Sequence, residues 1–285
     1  MMAVGKKVAD EVEGFRVTKN MKVDVKELKT KKAILKIEDT NPYFVNSLRR
    51  IMLADLPKLA VNDVVIYDNT SALFDEIISH RLGLVPIPTD LSLLTFRDEC
   101  VCKGKGCPNC TVRYTLSKEG EGTIYSGDLQ PEEKTWAIKE DKIPLVNLYN
   151  DQRLILEVEA VLGRGRDHSK WQAVQAPGYI MDTIIDFDKK NISDVKKFVE
   201  KLPNDLGVEI KGDKILMKDE TKLPFLEYHV IKEKKDLITI KKDPTKITFS
   251  FETDGSLSAK DAILESAKLL QQKYSEFGKL LKNLK

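Results

Sequence analysis

The chain has 285 residues, 41% hydrophobic and 32% charged, which is enough apolar mass for a buried core and length for two ordinary domains; disordered and fibrous classes are excluded. Lys and Arg number 47 against 45 acids, a net charge of +2, whereas nucleic-acid-binding domains run strongly basic, so any contact with nucleic acid is expected to be local or indirect. No apolar run reaches the roughly 18–20 residues of a membrane helix, and residues 1–10 lack a signal peptide's apolar core, so a cytoplasmic chain without membrane contact is expected.

Alternation at Ala33, Leu35 and Ile37 predicts a strand, and a helix follows at once. Thr40 or Asn41 can cap it, Pro42 suits its first position, Phe44, Leu48, Ile51 and Met52 make its apolar stripe, and Pro57 stops it. Arg49 and Arg50 then project from its flanks, as a solvated side or a contact. Val61–Tyr67 reads as a strand and Leu73–Leu82 as a short helix, with Gly83 as a left-handed cap and His80 as a packed or capping residue.

All four cysteines lie in one stretch, Cys100-x-Cys102-x4-Cys107-x2-Cys110. Gly104 and Gly106 let the chain fold back, and Pro108 stiffens the second knuckle. Four thiolates this close repel one another without a cation, and four sulfurs are the ligand set of a closed, structural tetrahedral zinc site. Two disulfides and an iron–sulfur cluster are the competing readings; a reducing compartment disfavours the first and the spacing the second.

Between Thr115 and Ala160, ten acids against five Lys/Arg and several glycines predict loops and short strands. Leu154–Leu162 alternates as a strong strand and runs into Gly163-Arg164-Gly165-Arg166-Asp167-His168. Two glycines without a third and without a helix directly behind them do not make a phosphate cradle, so this turn, with Lys170-Trp171, is read as an exposed contact surface. Residues 180–218 predict a strand (Met181 to Phe187), a helix capped by Ser193, and a hairpin turning at Gly212-Asp213. Ile247, Phe249 and Phe251 alternate, Asp254-Gly255 turns the chain, and Ser258 with Asp261 forms a capping-box pattern. In the helix behind it Ile263, Ala267, Leu270, Tyr274, Phe277 and Leu281 repeat at four and three residues, which suits a partner helix or the chain's own core. His80, His168 and His229 lie far apart, and no nucleophile elbow or nucleotide-binding loop appears, so no catalytic residue is predicted.

Taken in order, Asn41-Pro42-Tyr43-Phe44-Val45-Asn46-Ser47-Leu48-Arg49-Arg50-Ile51-Met52, His80-Arg81-Leu82-Gly83-Leu84-Val85-Pro86-Ile87, the cysteine run, Gly163-x-Gly165-x-x-His168-x-Lys170-Trp171, and Phe249-x-Phe251-Glu252-Thr253-Asp254-Gly255-Ser256-Leu257 resemble the alpha-like subunits of multisubunit RNA polymerases, above all the archaeal D subunit and its eukaryotic third-subunit relatives. The resemblance spans about residues 14–281. It implies an α+β fold with a discontinuous dimerisation domain, residues 14–60 and 226–285, around an insert domain, residues 61–225. Within the insert lie a cysteine loop, 96–114, and a ferredoxin-like α+β segment, 180–225. It further implies a non-catalytic assembly subunit of a DNA-directed RNA polymerase. The chain would pair with the L subunit through Ile263, Ala267, Leu270, Tyr274, Phe277 and Leu281, and then gather the N and P subunits and the large subunits. The Arg49-Arg50 pair would face a large subunit. Many archaeal relatives hold a [4Fe–4S] cluster in the ferredoxin-like segment, but residues 180–225 contain no cysteine, so no such cluster is expected. Two rivals from other classes are a zinc-ribbon nucleic-acid-binding module and a metalloenzyme; near-neutral charge opposes the first, and a ligand set with no open position opposes the second.

Overall fold

The structure, a computed structural model, describes residues 21–187, 191–211, 214–217, 222–232 and 238–282. It opens with strands β1 (Lys22–Leu28) and β2 (Lys32–Glu38), helix α1 (Pro42–Ala54), strand β3 (Pro57–Asn69) and helix α2 (Asp75–Leu84). After the cysteine-bearing loop come β4 (Thr111–Glu119), β5 (Gly122–Tyr125), β6 (Gln130–Pro131), β7 (Pro144–Leu148) and β8 (Arg153–Arg164). The rest is β9 (Val174–Phe187), α3 (Ile192–Lys201), β10 (Val208–Lys211), β11 (Lys214–Met217), α4 (Leu223–Lys232), β12 (Ile238–Thr253) and α5 (Ala259–Lys282). Among the described residues no helix is long and apolar enough to cross a membrane.

The described residues divide into two compact units, one within 25–35, 43–178 and 249–282, the other within 21–24, 36–42 and 179–248. Strands β1, β2, β12 and β9 are hydrogen-bonded in that order.

The core of the first unit follows from strand alternation. Its sheet runs β3-β8-β4-β6, all antiparallel. On one face Val112 opposes Ala160, Tyr114 opposes Val158 and Leu116 opposes Leu156, all buried; on the other, Arg113 opposes Glu159 and Thr115 opposes Glu157. Each fully buried aliphatic side chain here contributes about 1.5–3 kcal/mol, so period-two sequence fixes which face turns inward. Ile78 and Leu82 of α2 and Leu145, Val146 and Leu148 of β7 close over that face. Tyr114 is fully buried yet satisfied, its hydroxyl donating to the Trp136 carbonyl at 2.8 Å, and burial raises its pKa.

Helix α1 starts at Pro42 as expected and buries Val45, Leu48, Ile51 and Met52; Phe44 is only half-buried, so the stripe is turned by one residue. The Thr40 hydroxyl has no hydrogen-bond partner and so does not cap it. Gly83 is no left-handed cap: it lies buried inside α2, and the helix stops when Val85 turns extended ahead of Pro86. Asn191, not Ser193, occupies the cap position of α3, and neither α3's cap nor α2's is closed by a side chain.

The second unit buries Ile185, Val195, Phe198, Leu202, Leu206, Ile215, Leu223, Leu226 and Ile238 around α3, α4 and the β10–β11 hairpin. The expected turn at Gly212-Asp213 lies outside the described residues. Lys36 pairs with Asp182 at 2.8 Å in the same unit.

Candidate metal centre and helical groove

The loop between α2 and β4 brings its four cysteines together. All four sulfurs lie within 4.8 Å of one another, with Cys100–Cys107 at 3.5 Å, Cys102–Cys110 at 3.6 Å and Cys107–Cys110 at 3.9 Å. No disulfide joins them. Two tight turns produce this ring. The Lys103 amide donates to the Cys100 carbonyl and the Cys110 amide to the Cys107 carbonyl, both at 2.9 Å, while the Cys107 amide points at the Cys110 sulfur at 3.4 Å. Gly104 and Gly106 take φ of 80° and 83°, the left-handed region where a β-carbon is strained. Gly106 is needed twice over, because a β-carbon there would also meet the Arg97 guanidinium at 3.1 Å and the Thr111 hydroxyl at 3.3 Å.

Tetrahedral zinc with bonds of about 2.3 Å sets its sulfurs about 3.8 Å apart, and the observed separations bracket that value, so the residues fit a four-thiolate metal. The protonation pattern agrees. For Cys102, burial pushes the thiol up, but the Gly106 amide and the thiols of Cys100, Cys110 and Cys107 donate to its sulfur and lower it to about 6. For Cys107, the Asn109 amide lowers the thiol, yet sharing its proton with Cys100, together with burial and contact with Cys102 and Cys110, lifts it to about 11. The ring thus crowds four thiols that share protons, and a bound cation would take the place of those protons.

A second feature is a groove of about 560 Å³ between α1 and α5, lined by Ser47, Arg50, Ile51, Ala54, Asp55, Arg166, Leu270, Lys273, Tyr274 and Phe277. Helix α5 begins at the predicted capping box: Ser258 Oγ accepts from the Asp261 amide at 3.1 Å and donates to its carboxylate at 2.6 Å. Of its predicted seam, Leu270 is buried, Ile263 half-buried and Ala267 exposed, while Tyr274, Phe277 and Leu281 stand 50%, 58% and 48% exposed. Leu270, Tyr274 and Phe277 share the groove with α1; Ile263, Ala267 and Leu281 do not line it. At the groove's floor the buried Asp55 carboxylate pairs with Lys273 at 2.6 Å and with Arg166. Burial lowers the Lys273 pKa, aided by Arg166 and Arg164. The paired arginines of α1 part company: Arg50 is exposed in the groove, whereas Arg49 is half-buried and donates to Asn46 at 3.1 Å.

The glycines of the turn after β8 serve close packing. A β-carbon on Gly163 would fall 2.2 Å from the Trp171 indole, and one on Gly165 would fall 2.0 Å from the Leu53 carbonyl oxygen. Trp171 is half-buried, its indole N–H donating to the Val161 carbonyl at 3.1 Å, and Lys170 lies 4.3 Å over its ring. The glycines therefore admit a tryptophan and a helix end at close range, while Arg166, Asp167 and His168 of the same turn stay exposed, as a contact surface requires. His168 accepts from the Lys170 amide through Nδ1 at 3.0 Å, and His80 is exposed on α2. Sequence reasoning missed three groups: Arg97, the Lys58–Asp254 pair at 2.5 Å, and the Asp55 cluster, each joining residues far apart in the chain.

Residues 60–185 match the family described as the RNA polymerase Rpb3/RpoA insert domain, so sheet and cysteine loop are those of an alpha-like polymerase subunit. Along nearly its whole length the chain is similar to proteins named DNA-directed RNA polymerase subunit Rpo3. The one from Methanosarcina acetivorans is 37% identical over 268 residues, 93% of this chain and 99% of the relative. That from Picrophilus torridus is 34% identical, covering 89% and 97%, and that from Archaeoglobus fulgidus 30% identical, covering 92% and 98%. The chain belongs to the Rpo3 family, the archaeal D subunits of DNA-directed RNA polymerase.

Proposed function

We propose that this chain is the assembly platform of a cytoplasmic archaeal RNA polymerase, pairing with the L subunit before the N and P subunits and the large catalytic subunits join, and meeting DNA only through the finished enzyme. The observation that carries this reading is the apolar half of α5: Tyr274 and Phe277 stand in an open groove beside α1, and Leu281 continues the stripe. A large apolar surface left open on a charged helix is stabilised when a partner helix covers it. In this reading residues 14–60 and 226–285 form the dimerisation domain and residues 61–225 the insert, whose segment 180–225 occupies the ferredoxin-like position without a cluster. Arg49 and Arg50 meet a large subunit, and Cys100, Cys102, Cys107 and Cys110 hold one structural zinc that stiffens the 96–114 loop.

Mixing the purified chain with the L subunit and measuring mass by light scattering tests the first claim. A stable one-to-one complex is expected; a chain that stays monomeric beside a folded L subunit refutes it. Elemental analysis of anaerobically purified protein tests the second, with one zinc per chain expected and a metal content near zero counting against it.

A further inference from the structure

Resting on the zinc reading above, we propose that Arg97 is the positioning residue of the metal loop, a side chain that ties the span between Cys102 and Cys107 to the sheet beneath it. A register shift between Val61 and Asp63 places Asp63 of β3 directly opposite Glu159 of β8. Two carboxylates opposed across adjacent strands repel each other, and such a pair destabilises a sheet unless a cation bridges it. Arg97 supplies that bridge: its Nη1 lies 3.4 Å from the Asp63 carboxylate and 3.4 Å from that of Glu159. Arg113 reinforces Glu159 from β4, its Nε at 2.9 Å. With its Nη1 committed to the sheet, Arg97 uses its Nε to donate to the Gly104 carbonyl at 3.0 Å, in the middle of the span between Cys102 and Cys107. Gly106, the next residue but one, has its α-carbon packed against the same guanidinium so closely that a β-carbon would meet Nη2 at 3.1 Å.

One planar fork thus holds the loop's crown from below and the sheet's acid pair from above, using the rigid spread of donors that distinguishes guanidinium from ammonium. The loop's base is closed separately, by the Thr95 amide on the Asn109 carbonyl at 2.9 Å and by Arg164 lying 4.1 Å over the Phe96 ring. Arg97 sits between base and crown. Arg97 acts through the backbone: by holding the Gly104 carbonyl and packing against Gly106 it fixes the turn that carries Cys102 and Cys107 towards one another. Neither Lys103 nor Lys105 of the loop substitutes for it, since both are exposed on the crown.

The test uses the full chain, zinc alone as the probe, and competition with a chromophoric chelator at neutral pH. Replacing a residue that orients metal ligands typically weakens metal affinity about 10- to 100-fold; Arg97→Met is expected to fall in that range, and Arg97→Lys, which keeps charge but not the fork, between it and the parent. Thermal unfolding of zinc-loaded and metal-free forms separates positioning from general packing: the midpoint lost on Arg97→Met should be larger in the loaded form. Arg97→Met with parent-like zinc affinity overturns the proposal, and so does an equal loss of midpoint in both forms. If Arg97→Met does not fold, Arg97→Lys decides, with parent-like affinity overturning the proposal. A parent chain that takes up no zinc overturns the zinc reading and this inference together.

Discussion

At Gly163 and Gly104 the same residue type answers two different demands. Gly104 sits at φ 80° with nothing within 4 Å of where a β-carbon would be, so only backbone conformation requires glycine there. Gly163 has an ordinary φ, but a β-carbon would fall 2.2 Å from the Trp171 indole, a distance that nothing short of moving the ring relieves. Gly104→Ala should cost about 1–2 kcal/mol. Gly163→Ala should cost more than that, as overpacking a fixed aromatic ring costs about 1–3 kcal/mol and occasionally more. Urea unfolding of both variants checks the order, and a Gly163→Ala variant milder than Gly104→Ala would contradict the close-packing account. In the sequence the two glycines two apart, without a third, read as part of a contact turn; the partner that demands them, Trp171, becomes visible only when the 3-10 turn at Ser169–Trp171 folds the indole back.

Local sequence rules decide elements most firmly where they act through neighbours in the chain. The Ser258–Asp261 box closes α5 as its spacing requires, because donor and acceptor are three residues apart and meet in any helix. Ser258→Ala should cost about 1 kcal/mol, read as a lower unfolding midpoint. Helix α2 shows the limit of the same reasoning. Gly83 followed by Pro86 resembles a glycine cap, yet α2 continues through Gly83 to Leu84, and the helix ends where Val85 turns extended ahead of Pro86. Seam residues that look alike in α5 also differ: Leu270 belongs to the chain's own core and Phe277 to open solvent. Phe277→Asp should therefore leave the unfolding midpoint of the isolated chain nearly unchanged while weakening association with the L subunit at least tenfold. Leu270→Asp should lower both, since it buries an unpaired charge. Circular dichroism together with a binding titration separates the two.

Over the first unit as a whole, buried charge links segments that the chain keeps far apart. Lys58, only 3% exposed, pairs with Asp254 at 2.5 Å and donates to the Lys170 carbonyl at 3.0 Å. Asp254 also accepts from the Ser256 amide and hydroxyl, and its own amide donates to the Ala173 carbonyl at 3.1 Å. One ion pair thereby fastens β3, the turn before β9 and the turn before α5 together, which is why Thr253-Asp254-Gly255-Ser256 reads as a motif. Lys58→Met should cost about 3–5 kcal/mol by leaving Asp254 buried without its cation. Lys31→Met, at the exposed Lys31–Glu140 pair, should cost about 1 kcal/mol or less. Chemical denaturation of the two variants tests that contrast, and similar losses would argue that burial is not what sets the value of these pairs.

The sequence alone determined what depends on neighbours and on side-chain chemistry: strands from period-two alternation, α1 and α5 from their apolar stripes and caps, and a single closed thiolate site from four cysteines within eleven residues. It also carried the ordered motifs by which the chain's family could be read. Only the tertiary structure decided which distant groups meet. A one-residue bulge in β3 puts Asp63 opposite Glu159 and so gives Arg97 its place under the metal loop. Lys58 and Asp254, nearly two hundred residues apart, become one pair, and half of an apolar seam stays uncovered. The physical reason is that periodicity and capping act over a few residues, whereas register, close approach and burial arise only once separate segments share a surface.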